Sequence, residues 1–298
     1  MRVIQYSAYG APDVLHVVDI EAPHPGPGEI VIQVSSAGVN QLDTKIRSGS
    51  MAAAPDLQSP QGTGFDAAGT VMEIGPGVDG IAPGDVVFGT GRNTLAERAV
   101  LTEWARLPVG IDPVAAGGWG VAVETSHRLL TELGVTQGVI LLSGASGGVG
   151  SALIQLARAR GLRVIGTASE RNHAYLEQLG ATPVTYGPGL VDRVRAIVPD
   201  GVDGALDLSG AGVIADLVTL SGDASKVISI SDFTAPQHGA RVSTGATRTT
   251  NPRDGFAEAL AVPDFALHIE HRFPLARAAD AHRAAEGGHT VGKLLVLP

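Results

Sequence analysis

The chain has 298 residues, enough for two domains of ordinary size. Apolar residues make up 44% and charged residues 17%, which excludes a disordered chain, and a formal net charge of −9 argues against a large nucleic-acid footprint. Cysteine is absent, so disulfides and thiolate metal sites are excluded as well.

The run from Met1 is broken by Gln5, Tyr6, Ser7 and Gly10, so no signal peptide is expected and the protein is read as soluble and cytoplasmic. The first hundred residues look β-rich. Strands are expected over Met1–Ser7, Ile30–Ser35, Ala67–Ile74 and Asp85–Gly89, punctuated by Gly75-Pro-Gly77 and Pro83-Gly84. Gln41–Ser48 reads as a short helix and Met51–Pro60 as an Ala/Pro/Ser-rich loop. Short strands with Gly/Pro turns suggest a small barrel or sandwich.

From about Pro113 the texture changes. A helical segment runs from Val114 towards Leu133, and strands then alternate with helices. The strands are Val139–Ser143, Arg163–Thr167, Pro183–Tyr186, Gly204–Asp207 and Lys226–Ser231, with Arg241–Thr244 as a sixth. The helices are Gly150–Arg160, Arg171–Leu179, Leu190–Val198 and Val213–Leu220. That alternation predicts an α/β fold with a doubly wound parallel sheet. In the tail, a strand over Ile269–Phe273, a helix over Pro274–Glu286 and a strand over Lys293–Leu297 are assigned back to the first domain. The expected domains are therefore residues 1–113 completed by 262–298, and residues 114–261.

Val139-Ile-Leu-Leu-Ser-Gly-Ala-Ser-Gly-Gly-Val-Gly150 is the sharpest signal in the chain. It reads as strand, glycine turn and helix, the Rossmann arrangement for a dinucleotide. In the GxGxxG register the first glycine is Ala145, followed by Gly147 and Gly150. Gly147 lets the backbone approach a pyrophosphate, Gly150 lets helix and strand pack closely, and the helix N-terminus supplies unpaired N–H groups. The cofactor-binding residues of this loop are Ala145, Ser146, Gly147, Gly148, Val149 and Gly150. About 20 residues on, an acidic residue would bind the ribose of NAD. The second strand instead ends at Ala168, and Ser169 and Arg171 suit a 2′-phosphate, so NADPH is expected over NADH. Glu170 is the counter-evidence.

At this point the sequence resembles the zinc-free, quinone oxidoreductase-like branch of the medium-chain dehydrogenase/reductase superfamily. The resemblance rests on Ala37-Gly-Val-Asn-Gln-Leu-Asp-Thr44, Gly64-Phe-Asp-Ala-Ala-Gly-Thr-Val71, Gly84-Asp-Val-Val-Phe-Gly89 and Thr290-Val-Gly-Lys-Leu-Leu-Val296, in that order. It implies a GroES-like β-rich domain beside the Rossmann domain. Zinc-dependent relatives carry a cysteine where Asn40 stands and a histidine where Phe65 stands. No metal is therefore expected, and the implied reaction is hydride transfer from NADPH to a quinone or α,β-unsaturated carbonyl.

The resemblance also implies that Asn40 and Asp43 line the ligand cleft, with Asn40 donating to a substrate carbonyl or holding the nicotinamide ribose. It places Thr125 near the nicotinamide and Tyr186 near the adenosine phosphate. Relatives often have tyrosines where Lys45 and Met51 stand. Lys45 is a candidate replacement acid, a solvated lysine is the alternative, and solvent is the default proton source. A homodimer is expected through the edge strand Arg241–Thr244, with a small-molecule substrate and neither membrane nor nucleic acid as partner. Two alternatives stay open: a tailoring reductase for enoyl or polyketide-like intermediates, and a non-enzymatic NADP(H)-binding protein.

Overall fold

A computed structural model describes residues 1–52 and 54–298; the loop expected over Met51–Pro60 includes Ala53, which lies outside them. The chain forms two compact units, Met1–Val121 with Ala266–Pro298, and Ala122–Phe265.

The first unit is built on β1 (Arg2–Tyr6), β2 (His16–Asp19), β3 (Ile30–Val39), β4 (Gln61–Gly62), β5 (Asp66–Ile74), β6 (Val86–Arg92) and β7 (Arg98–Arg106). Strand β3 pairs antiparallel with β5, β5 with β6 and β6 with β7, and β7 returns to the first half of β3. That return closes a small barrel and removes its open edges. Its core holds Ile30, Ile32, Val34, Val71, Val87 and Leu101, all at most 5% exposed. Strand β7 falls outside the predicted set. Its run Arg-Ala-Val-Leu-Thr-Glu-Trp-Ala-Arg lacks clean alternation because consecutive residues Ala99, Val100 and Leu101 are all buried, on both faces of the strand. Helix α1 (Gln41–Ser48) follows β3 directly, over the residues expected. Further on, the predicted helix from Val114 to Leu133 is two helices, α2 (Pro113–Ala116) and α3 (Trp119–Leu133), divided at Gly117-Gly118.

The second unit holds β8 (Val139–Ser143), β9 (Arg163–Ala168), β10 (Thr182–Thr185), β11 (Gly204–Asp207), β12 (Val227–Ser229) and β13 (Arg241–Val242). All are parallel, in the order β10-β9-β8-β11-β12-β13. This is the doubly wound Rossmann order, with its switch point between β8 and β11. The intervening helices are α4 (Gly148–Ala159), α5 (His173–Leu179), α6 (Leu190–Arg195), α7 (Ile214–Ser221) and α8 (Pro252–Ala261). Helix α8 was not expected. Its start is nonetheless written in the sequence, since Asn251 caps it by accepting from the Arg253 N–H at 3.0 Å and Pro252 opens it. Gly255 disguises it, and a Cβ there would lie 2.8 Å from the His127 Cβ. Arg160, Glu258 and His127 then tie α4, α8 and α3 together at 2.6–2.7 Å.

The tail, from Ala266 onward, belongs to the first unit. Strand β14 (Ile269–Pro274) pairs parallel with β15 (Lys293–Leu297), and β15 pairs antiparallel with the second half of β3. Helix α9 (Ala278–Glu286) begins four residues later than expected, after a short 3₁₀ turn at Leu275–Arg277.

Candidate functional site

In the second unit, β8 ends at Ser143 and the chain turns through Gly144, Ala145, Ser146 and Gly147 into α4. The helix starts at Gly148, two residues before the predicted Gly150, because Gly147 acts as its extended N-cap residue. The Gly144 N–H donates to Thr167 Oγ1 at 3.2 Å and the Ala145 N–H to the Thr167 carbonyl at 3.1 Å, which fastens the turn to β9. The glycines do different work. A Cβ on Gly150 would collide with the backbone of Ala145, so this glycine closes helix onto turn. A Cβ on Gly147 would meet only the Gly144 carbonyl oxygen, 3.7 Å away, so the space beside it is open. Gly148 and Val149 follow in the first turn, half-buried, where an α-helix leaves its N–H groups without internal partners.

Ser169 and Arg171 sit just past β9, on a 3₁₀ turn over Glu170–Asn172. Asn172 Nδ2 donates to Ser146 Oγ at 3.4 Å, which brings this turn against the glycine loop. Glu170 and Arg171 are both exposed. Tyr186, 55% exposed, follows β10 at the same end of the sheet, since Thr185 pairs with Ala168. Thr125 is buried on α3, where its hydroxyl donates to Glu124 Oε2 at 3.2 Å. Glu124 in turn accepts from Arg128 Nε at 2.9 Å, and Arg128 reaches Ser243. Its neighbour Ser126 donates to the Val149 carbonyl at 3.0 Å, so this stretch of α3 lies beside the first turn of α4.

In the first unit, Asn40 ends β3 and opens α1. Its N–H donates to Asp43 Oδ2 at 2.6 Å, half of a capping box. Its side chain joins three segments distant in sequence. Asn40 Nδ2 donates to Asp66 Oδ1 at 2.8 Å and to Asp43 Oδ2 at 3.3 Å, while Asn40 Oδ1 accepts from Lys293 Nζ at 2.7 Å. Lys293 Nζ also lies 3.4 Å from Asp66 Oδ2, which accepts from the Val121 N–H at 3.2 Å. Asp43, Asp66 and Lys293 are buried. Two carboxylates beside one ammonium would leave a net buried charge. Burial accordingly pushes the Asp43 carboxyl up to about 7, against the Asn40 N–H bond and with the Asp66 charge adding to the rise. Asp43 Oδ1 is buried with no partner.

Asn40 and Asp43 are thus together, whereas Lys45 stands two residues along α1, half-buried, and its ammonium makes no bond among the described residues. Asp66 and Lys293 were not singled out from sequence as site residues. The available signal was a charge opening an otherwise apolar strand, in Asp-Ala-Ala-Gly and in Lys-Leu-Leu-Val-Leu.

Zinc does not fit this site. Phe65 offers no ligand, and the carbonyl oxygen of Asn40 is occupied by the Lys293 ammonium. Among the described residues no three His, Cys, Asp or Glu side chains group to hold a metal ion.

A GroES-like barrel unit with a six-stranded parallel Rossmann unit defines an NAD(P)-binding oxidoreductase of the medium-chain dehydrogenase/reductase type. Residues 26–134 match the family described as alcohol dehydrogenase GroES-like domain, and residues 148–244 the one described as zinc-binding dehydrogenase. A quinone oxidoreductase of Pseudomonas aeruginosa is 31% identical over 324 aligned positions, covering 99% of both chains. The NADPH-dependent alkenal/one oxidoreductase of Arabidopsis thaliana chloroplasts is 29% identical, over 100% of this chain and 80% of its own. A mycobacterial protein solved with NADPH superposes with a TM-score of 0.84 at 26% identity, over the whole of both chains. The chain belongs to the quinone oxidoreductase-like branch of that superfamily.

Proposed function

We propose that the protein is an NADPH-dependent reductase of quinones or α,β-unsaturated carbonyls that works without a metal. The observation that carries this reading is the open space at Gly147, beside the first turn of α4, in a chain with no zinc donor set among the described residues. The quinone oxidoreductase and alkenal/one oxidoreductase names of its relatives support the acceptor class. Enones stand alongside quinones because both acceptor classes appear in those names.

When bound, NADPH supplies the hydride. The chain's own residues hold and orient it. The N–H groups of Gly148 and Val149 would hold the pyrophosphate, with Ala145, Ser146 and Gly147 lining the turn and Gly150 holding it shut. Ser169 Oγ and the Arg171 guanidinium would take the 2′-phosphate, Tyr186 would flank the adenosine end and Thr125 the nicotinamide end. Asn40 and Asp43 form the polar group of the first unit. The acceptor carbon of a quinone or enone is already electrophilic, so positioning supplies most of the catalysis. The last proton comes from solvent, with Lys45 the side-chain candidate. Strand β13 lies at the sheet edge, and we propose that a two-fold dimer covers it.

Steady-state oxidation of NADPH and NADH with a panel of quinones and enones, before and after chelation, tests this. Turnover preferring NADPH and insensitive to chelation is expected. NADPH binding without turnover on any acceptor would favour a non-enzymatic role.

A further inference from the structure

Asp207 ends β11 and is fully buried, at 0% exposure. Its side chain collects four hydrogen bonds, all donated to it, as an ionised carboxylate requires. The Ser209 N–H, the Gly210 N–H and Ser209 Oγ reach Oδ1 at 3.1, 3.1 and 3.0 Å, and Ser229 Oγ reaches Oδ2 at 2.8 Å. A hydroxyl has one proton to donate and two lone pairs. Ser209 and Ser229 both direct their proton to Asp207, so each oxygen meets its other neighbours as an acceptor. Ser229 Oγ accepts from the Ser231 N–H at 3.1 Å and the Asp232 N–H at 2.8 Å. Ser209 Oγ accepts from the Ala211 N–H at 3.2 Å and lies 2.7 Å from Ser143 Oγ, which must therefore be the donor of that pair.

One charge thus fixes three turns at once: the turn leaving β8, where Ser143 precedes the glycine loop, the turn leaving β11 and the turn leaving β12. Two glycines let these turns close on one another. A Cβ on Gly144 would lie 3.2 Å from the Ser209 Cβ, and one on Gly210 would lie 3.0 Å from the Ser231 Cβ. The chain around the carboxylate stays open to solvent, with residues 209–212 exposed or half-buried and 230–232 half-buried. Packing asks for no acid here. The rest of β11 is Gly-Ala-Leu, and a buried charge is costly unless it is bonded.

A doubly wound sheet consists of two mononucleotide-binding halves, and its ligands lie beyond the carboxyl ends of the strands. In this chain the halves are β8, β9 and β10, and β11, β12 and β13. The glycine loop serves the first. We propose that Asp207 is a positioning residue for the second: it touches no ligand, and it holds residues 209–212 and 230–232 in the shape that receives the nicotinamide half of the cofactor. This rests on the cofactor reading above. It separates two effects that a purely structural role would not. Loosening these turns costs affinity for the nicotinamide half and spares the adenosine half.

Calorimetry of NADPH and of 2′,5′-ADP, which lacks the nicotinamide half, tests this in wild type, Asp207→Asn, Ser209→Ala and Ser209→Thr. NADH and 5′-ADP form a second pair, so that a preference for NADH fails only the 2′-phosphate assignment. Asn keeps the shape of Asp but sets an NH₂ against groups that themselves donate. Asp207→Asn should weaken the dinucleotide about tenfold and its half by about twofold or less. Ser209→Ala should move the ratio in the same direction, and Ser209→Thr, which keeps the hydroxyl, should restore it. Equal losses for the two ligands overturn the proposal, since they report a structural role only. So does an unchanged ratio in Asp207→Asn, and so does a wild type that binds neither dinucleotide more tightly than its half. If Asp207→Asn fails to fold, the two variants of the exposed Ser209 decide, and an unchanged ratio in Ser209→Ala then overturns the proposal. Wild type that binds NADPH but reduces no acceptor fails the reductase reading alone, and the affinity ratio still decides this one.

Discussion

The glycine loop of the second unit and the Asn40 group of the first are built on opposite plans. The loop works by what it lacks: open space at Gly147, close approach at Gly150, and backbone N–H groups at the start of α4. All of it lies within one stretch of a dozen residues. The Asn40 group works by what it contains, two carboxylates, an ammonium and an amide, drawn from α1, β5 and β15. Local chain geometry is enough to build the first. Only the closed fold can assemble the second.

The sharpest way to break this contrast is at the glycines. Gly147→Val should cost more than 100-fold in NADPH affinity and abolish turnover, while Tm moves little, because the new side chain enters space that is empty in the free protein. Gly150→Ala should do the reverse, destabilising the second unit by ~1–3 kcal/mol through overpacking. Equal losses of Tm in the two variants would show that the Gly147 space is structural.

The first unit should respond to pH in a way the second does not. Burial, with the Arg47 charge adding, holds the His282 imidazole down at about 4, whereas burial pushes Asp43 up to about 7. From pH 6.5 down to 4 the unfolded chain takes a proton at His282 that the fold refuses, so this contribution to stability falls as pH falls. From about 3.8 to 7 the fold keeps a proton at Asp43 that the unfolded chain releases, so that contribution falls as pH rises. The two nearly cancel in wild type. Urea titrations of His282→Phe should therefore show stability dropping by ~3 kcal/mol from pH 4 to 7, and Asp43→Asn should show the opposite slope. In the second unit Glu258 is held at about 2, the bonds from Arg160 and His127 overcoming burial, so its contribution persists until the pH falls below 4.5. Parallel slopes in the two first-unit variants would contradict the assignment.

Smaller effects sharpen the picture. Arg171→Ala should weaken NADPH about tenfold or more and leave NADH within twofold, the loss of one charge-assisted bond; titration of both cofactors decides, and equal losses would move attention to Glu170. Smallest of all, Lys45→Ala should keep kcat within about twofold, since the Lys45 ammonium takes no part in the Asn40 group. A variant that binds NADPH but loses nearly all turnover would make Lys45 the proton donor.

What could be read from sequence follows the same division. The strands Val139–Ser143, Gly204–Asp207 and Lys293–Leu297 and the helix Gln41–Ser48 have the bounds expected, because apolar runs and turn residues mark them locally. Strand β7 was missed because it is buried on both faces at Ala99, Val100 and Leu101, and α8 because Gly255 serves a contact with His127 that no local pattern contains. Asn40 and Asp43 were legible only through the resemblance carried by Ala37-Gly-Val-Asn-Gln-Leu-Asp-Thr44. Asp66 and Lys293 were not, since the bonds that give them meaning span 26 and 253 residues of chain.

The placement of Lys293 also bears on how the protein is made. Synthesis runs from the N-terminus, and folding can begin before it ends. A nascent chain that has emerged through β7 already carries Asn40, Asp43 and Asp66, two acids and an amide facing a place where no cation has yet arrived. The strand that pairs with the second half of β3 and the ammonium beside those acids are delivered together, after everything from β1 to β14 has been made. Until then Asp66 has no lysine beside it, and water must supply what Lys293 later gives. A ribosome-bound chain stalled before residue 290 should consequently have a loosened, protease-sensitive α1, and extension through β15 should add that strand to β3 and set the site in one step.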